Sequence, residues 1–196
     1  MALIDYGAGN LRSVANALTH LEIEYEVTAD PEVVRSAAKV VFPGVGAAAS
    51  CMAELEARGL VEALRAAERP VLGICLGMQV LTESSAEGGE RVECLGVLPG
   101  QAERFGEGVK VPQMGWNTVR VVGDAPLFAE IPPHEHFYFL HSYRVRTEPA
   151  YVLAETEYDG SYASAVRREN FWGVQFHPEK SGPYGLRILK NFVERC

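Results

Sequence analysis

Short apolar, β-branched runs alternate with helix-spaced segments through the first half of the chain. Strands are predicted at Leu3 to Tyr6, Tyr25 to Thr28, Val40 to Phe42 and Val71 to Cys75. Helices are predicted over Asn10 to His20, Ala47 to Ala67 and Leu76 to Ser84. Lys39-Val40-Val41-Phe42 and Val71-Leu72-Gly73-Ile74 show no polar alternation within their apolar stretches, the pattern of strands covered on both faces. The expected fold is therefore α/β, a mostly parallel central sheet with flanking helices. From Val92 to Gln175 the character changes to Val, Tyr, Phe and turn residues. Strand candidates at Thr118 to Val122, His136 to Val145, Val152 to Thr156, Ala163 to Arg167 and Phe171 to Phe176 predict antiparallel additions. Ser181-Gly182-Pro183 opens a closing helix that carries Leu186, Leu189 and Val193 on one stripe. No repeat or linker interrupts this order, so one domain over residues 1–196 is expected, with Glu87-Gly88-Gly89-Glu90 and Gly106-Glu107-Gly108 as loops.

Composition narrows the function classes. At 196 residues, 47% hydrophobic and 22% charged, the chain can bury a sizeable core. A formal net charge of -8 argues against nucleic-acid binding, which needs clustered Lys and Arg. No apolar stretch approaches the ~20 residues of a membrane span, and no basic residue precedes Arg12, so no membrane or signal segment is expected and the location is read as cytoplasmic. Cys51, Cys75, Cys94 and Cys196 form no Cys-x-x-Cys pair and read as reduced thiols. His134-x-His136 lacks a third ligand at useful spacing and reads as a loop-to-strand junction, not a metal site.

The candidate chemistry starts at Gly73-Ile74-Cys75-Leu76-Gly77-Met78-Gln79. Two glycines flank a cysteine at a strand-to-helix junction, where a sharp turn presses backbone against backbone and lifts the central side chain clear. A thiol exposed there sits over helix N–H groups that favour negative charge on sulfur and can bind an oxyanion. Phe176-His177-Pro178-Glu179-Lys180 supplies a base and its orienter: at extended i, i+2 spacing His177 and Glu179 project to one side. By spacing alone the pair also fits a surface histidine beside an acid. Pro43-Gly44-Val45-Gly46 follows a strand at the same sheet edge and can turn a peptide N–H toward the site, a second donor besides that of Leu76. Gly7-Ala8-Gly9 is not a dinucleotide fingerprint, because Arg12 stands where the third small residue belongs. No cofactor is expected.

Taken in order, Pro-Gly-Val-Gly, Gly-Ile-Cys-Leu-Gly-Met-Gln and Phe-His-Pro-Glu resemble the triad-type, class I glutamine amidotransferase domain, a flavodoxin-like fold. Ile4-Asp5-Tyr6-Gly7-Ala8-Gly9-Asn10, Gln113-Met114-Gly115-Trp116-Asn117 and Tyr138-Phe139-Leu140-His141-Ser142-Tyr143 look like the glutaminase subfamily of imidazole glycerol phosphate synthase. The resemblance implies hydrolysis of glutamine to glutamate and ammonia, with Cys75, His177 and Glu179 as the triad. It also implies that Gln79 and the backbone around Ser142 and Tyr143 hold the substrate's amino-acid end. A heterodimer with a (β/α)₈-barrel cyclase is implied, with Asn10, Trp116, Asn117 and Lys180 near the interface. Read without the resemblance, Trp116 is a core aromatic. Two departures stand out: Gln113 replaces a frequent His, and Ala48-Ala49-Ser50 replaces bulkier residues. The competing expectations are a glutaminase of another synthase, such as one for pyridoxal phosphate, a stand-alone cysteine amidase or peptidase, and a non-catalytic module of the same fold.

Overall fold

The computed structural model describes residues 1–196 except 8, 9, 90 and 124, so Ala8 and Gly9 of the early glycine string and Glu90 of the glycine loop lie outside the described residues. The first half builds β1 (Ala2–Ile4), α1 (Leu11–His20), β2 (Glu26–Thr28), α2 (Pro31–Ser36), β3 (Val40–Gly44), α3 (Ala48–Ala57), α4 (Leu60–Arg65), β4 (Val71–Cys75) and α5 (Leu76–Val80). The second half adds β5 (Ser84–Ser85), β6 (Val92–Glu93), β7 (Gln101–Arg104), β8 (Gln113–Val121), β9 (His134–His141), β10 (Tyr143–Arg146), β11 (Val152–Glu157), β12 (Ser161–Arg168), β13 (Phe171–Val174) and the closing α6 (Gly182–Arg195). Strands β2, β1, β3, β4 and β13 lie side by side and parallel. Beyond β13 the sheet continues through β12 and β10, which pair antiparallel, while β11, β8 and β9 branch from β12 as an antiparallel wing.

The apolar runs explain why the sheet is covered twice. Leu3, Val41, Leu72 and Ile74 face α1 and α6, where Val14, Leu18, Ile188, Leu189 and Phe192 are buried. Ala2, Ile4, Val40, Phe42 and Val71 face the other way, against Val34, Leu55, Leu60 and Leu64 of the remaining helices. Within α6 the predicted stripe is shifted: Leu189 is buried, but Ile188 and Phe192 carry the contact and Leu186 and Val193 are half-buried.

Several boundaries differ from the pattern reading. The predicted Ala47 to Ala67 helix breaks at Gly59, which takes a left-handed φ of 68° between α3 and α4. Helix α5 stops at Val80 instead of reaching Ser84, because the chain turns at Leu81 and Thr82 into the short strand β5, with the Thr82 hydroxyl donating to the Gln79 and Ser84 carbonyls. Helix α2 is absent from the pattern reading, although Asp30 caps it by accepting from the Glu32 N–H at 2.8 Å and Pro31 starts it. The His136 to Val145 strand divides at Ser142 into β9 and β10, and β8 begins five residues before Thr118. His134 opens β9 directly after Pro132 and Pro133, at the expected loop-to-strand junction, and it and His136 both stand on the exposed face of that strand.

Candidate active site

Parallel register sets up the site. Gly44 of β3 pairs with Cys75 of β4, and Val174 of β13 pairs with Ile74, so the segments following all three strands emerge at one end of the sheet. Cys75 has φ 55° and ψ -110°, a conformation an L-residue adopts only when its surroundings force it. The surroundings are backbone at contact distance: a Cβ on Gly77 would sit 2.1 Å from the Phe42 carbonyl oxygen, and one on Gly73 would sit 2.6 Å from that of Gly77. The sequence predicts an exposed thiol at this turn, but Cys75 is only 5% exposed. Instead of standing clear of the surface, the sulfur lines a cavity of about 370 Å³. Leu140 and Gln175 close over it: the S–H donates to the Leu140 carbonyl at 3.7 Å, and the Gln175 amide donates to the sulfur at 3.7 Å.

His177 follows β13 and is held by its backbone. Its N–H donates to the Tyr138 carbonyl at 2.9 Å, and its carbonyl accepts from the Ser181 hydroxyl at 2.6 Å. The ring Nδ1 lies 2.8 Å from Glu179 Oε1, a carboxylate that only accepts, so Nδ1 carries the proton and Nε2 is left for Cys75. Burial, the largest influence on the ring, pushes its pKa down. Hydrogen bonds and charge from Cys75 and Glu179 together outweigh burial and raise it to about 10. Asn10, expected near a partner interface, reaches the triad. Its amide donates to Glu179 Oε1 and lies 3.4 Å from His177 Nδ1.

The remaining cavity wall comes from Val45, Gly46, Leu76, Gln79, Ser142, Tyr143 and Lys180, together with Glu87, Pro112 and His141. Gln79 donates to the Tyr143 carbonyl at 2.9 Å, tying α5 to β10. Gly44 itself does not line the cavity; it is the register partner from which the Val45-Gly46 loop departs, with Gly46 at φ 98°. Trp116 is not a core aromatic: it is 57% exposed and stacks edge-on with Tyr138 across β8 and β9. Asn117 points to the other face of β8, where its amide donates to the Glu157 carbonyl at 3.0 Å. Alternation along the strand thus sends two adjacent residues, both expected at one interface, to opposite sides.

The family profile of class-I glutamine amidotransferases matches residues 2–196. The chain belongs to this family. Among its curated relatives, the imidazole glycerol phosphate synthase subunit HisH of Moorella thermoacetica is 51% identical, covering 99% of this chain and 94% of that one. The HisH subunits of Aromatoleum aromaticum, at 49% identity over 98% and 97%, and of Dehalococcoides mccartyi strain CBDB1, at 47% over 99% and 96%, are similar throughout. Solved structures share the fold. A glutamine amidotransferase superposes with TM-score 0.76 at 22% identity, covering 98% of this chain and 97% of the other. A glutamine amidotransferase of Thermotoga maritima superposes with TM-score 0.66 at 20% identity, covering 98% and 80%.

The amidotransferase cavity is also lined by a buried polar group that no spacing pattern in the sequence marks, His141. His141 Nδ1 is 2.7 Å from the Tyr143 carbonyl, and its Nε2 is 3.3 Å from the Tyr162 hydroxyl, which also bonds Gln113 Oε1 at 2.9 Å. Gln113, one of the two departures from the family pattern, is thus a buried partner of Tyr162. Burial pushes the His141 pKa down from 6.5 to about 4, with the Tyr143 carbonyl opposing and His177 assisting. Because the folded pKa lies below the unfolded one, the unfolded chain binds the extra proton and stability falls as pH drops from about 6.5 to 4. The expected loss is roughly 3 kcal/mol. Urea unfolding at pH 7 and pH 4.5 checks it: His141→Gln should lose markedly less stability across that interval than the native chain, and parallel losses would remove His141 as the cause.

Proposed function

We propose that this chain, acting as one domain over residues 1–196, is the glutaminase subunit of an imidazole glycerol phosphate synthase. In this reading it frees ammonia from glutamine at Cys75 and passes it to a (β/α)₈-barrel cyclase in histidine biosynthesis. The observation that carries it is the Cys75, His177 and Glu179 constellation at one cavity, with His177 Nδ1 committed to Glu179 at 2.8 Å.

The sulfur attacks the carboxamide carbon of glutamine. The Leu76 N–H, at the first position of α5, and a peptide of the Gly44 to Gly46 loop take the negative charge on the carboxamide oxygen. With its pKa raised to about 10, the His177 ring holds a proton at neutral pH and delivers it to the departing nitrogen. The C–N bond breaks, ammonia leaves and a γ-glutamyl thioester remains on Cys75. His177 then takes a proton from water, the resulting hydroxide adds to the thioester carbon, and collapse releases glutamate and the sulfur. Glu179 compensates the charged ring in both halves. Gln79 spends its N–H groups on the Tyr143 carbonyl and on Gln175, which leaves its Oε1 to accept from the substrate's ammonium end beside Ser142 and Tyr143.

The cyclase would dock on the outer face of β8 and β9. Met114 is 63% exposed, Trp116 57% and Leu140 37%, and cross-strand pairing sets Met114 beside Leu140 and Trp116 beside Tyr138. Such a contiguous apolar strip is unusual on a free surface. Lys180 stands at its inner margin, its ammonium 5.9 Å above the Tyr138 ring while it also lines the cavity. Glutamate release is measured with and without a barrel cyclase and its nucleotide ligand. It should rise about 10²-fold or more on assembly, the scale of completing one oxyanion donor. Trp116→Ala should weaken binding between the two proteins about 10- to 100-fold in a titration, as for a buried aromatic anchor. Full turnover by the isolated chain, indifferent to any cyclase, would refute the assignment.

A further inference from the structure

Gln175 follows β13 two residues before His177 and is completely buried. Its main chain is fixed by its N–H donating to the Ser164 carbonyl at 2.9 Å. Its side chain has two neighbours in the site, Cys75 Sγ at 3.7 Å and Gln79 Nε2 at 3.1 Å. Which end of a buried amide faces which neighbour is often ambiguous, but here the hydrogen-bond chain fixes it. The Tyr143 carbonyl can only accept, so the Gln79 atom 2.9 Å away is its nitrogen. That same nitrogen meets Gln175, so the Gln175 atom there is its oxygen. The Gln175 nitrogen therefore faces the sulfur.

We infer that Gln175 is a third functional partner of the nucleophile: its side-chain N–H holds the Cys75 thiolate, and Gln79 locks it in that orientation. This rests on Cys75 being the nucleophile proposed above. An N–H donor strengthens when its acceptor becomes an anion, so the bond favours the ionised sulfur and steers its lone pairs. It also explains why a full amide is buried next to a reactive thiol. The Tyr143, Gln79, Gln175 and Cys75 chain runs from the wall proposed to hold the substrate's amino-acid end to the atom that attacks it.

The test uses the assembled synthase with two variants of similar size. Gln175→Glu keeps an oxygen toward Gln79 but presents oxygen in place of N–H to the sulfur, and Gln175→Met removes both groups. Circular dichroism and the thermal midpoint establish that each is folded. Alkylation by iodoacetamide is followed at the Cys75 peptide by mass spectrometry, at pH 7 and at pH 10. The other ionisable side chains around the sulfur, His177, Glu179 and Lys180 after β13, Glu87 after β5, His141 on β9, Tyr6 after β1 and Tyr162 on β12, are the same in both variants. The rate at pH 7 should fall about three- to tenfold. At pH 10 it should equal or exceed the native rate, because a sulfur without the donor is the better nucleophile once ionised. In parallel, kcat for glutamine should fall about 10- to 100-fold with KM within about twofold.

A native pH 7 to pH 10 rate ratio in a folded variant overturns the proposal, even where kcat drops, because a purely structural role predicts that result. Glutamine hydrolysis surviving in Cys75→Ala would instead sink the nucleophile assignment itself, which keeps the two failures apart.

Discussion

Cys75→Ala should lower glutamine hydrolysis by about 10⁵-fold or more while leaving synthesis from added ammonium salts by the assembled enzyme at its native rate. The split follows from where the residue stands. The sulfur lines the cavity, and its contacts with the Leu140 carbonyl and the Gln175 amide are weak, at 3.7 Å each, so its loss costs little packing. The strained backbone of residue 75 is imposed by Gly73, Gly77 and Phe42, which the substitution leaves alone. No other thiol lines the described cavity. The three other cysteines are Cys51 and Cys94, both buried away from the cavity, and Cys196 at the C-terminus. Steady-state glutamate release and ammonia-driven turnover, measured on one preparation, decide it. Residual glutaminase within tenfold of native would remove Cys75 from the mechanism.

Glu179→Gln is the second large effect, an expected fall in kcat of about 10²- to 10⁴-fold with KM nearly unchanged. Glu179 lines no part of the cavity, so substrate binding has no direct stake in it. Its side chain is fully buried, with Oε1 accepting from His177 and Asn10 and Oε2 left without a hydrogen-bond partner among the described residues. The amide of the variant can still offer an oxygen to His177 by placing its N–H₂ at the vacant Oε2 side. What it lacks is the charge that compensates an imidazolium, and that charge matters only while the ring is protonated. A KM that rises in proportion to the fall in kcat would show that Glu179 acts on substrate binding instead.

The parts of this fold that are legible in the sequence are those where a single local requirement dictates residue type. Apolar runs mark strands covered on both faces, and Gly73 and Gly77 mark the turn because a Cβ there would collide with backbone. Where two requirements compete, the pattern blurs. Strand β8 carries Gln113, Gly115 and Asn117 on its inner face, and the two side chains there are placed for contacts across the structure, so only its last residues look like a strand. The contacts of Asn10, Gln175 and His141 escape sequence reading for a related reason. Their partners lie 167, 100 and 21 residues away, and no spacing rule connects such distances. Helix α2 does carry a local signal, Asp30-Pro31-Glu32, but its six residues are too few to show an apolar period. The thiol's burial is not readable at all, because Leu140 on β9 and Gln175 just after β13, which cover it, arrive there only through the whole sheet.

Leu140 faces two ways. Its carbonyl oxygen meets the thiol at 3.7 Å, while its side chain breaks the outer surface of the antiparallel wing. The partition between the reaction chamber and whatever presses on the molecule from outside is here one amino acid thick. A push on that side chain has no relay to traverse before it is felt at the sulfur.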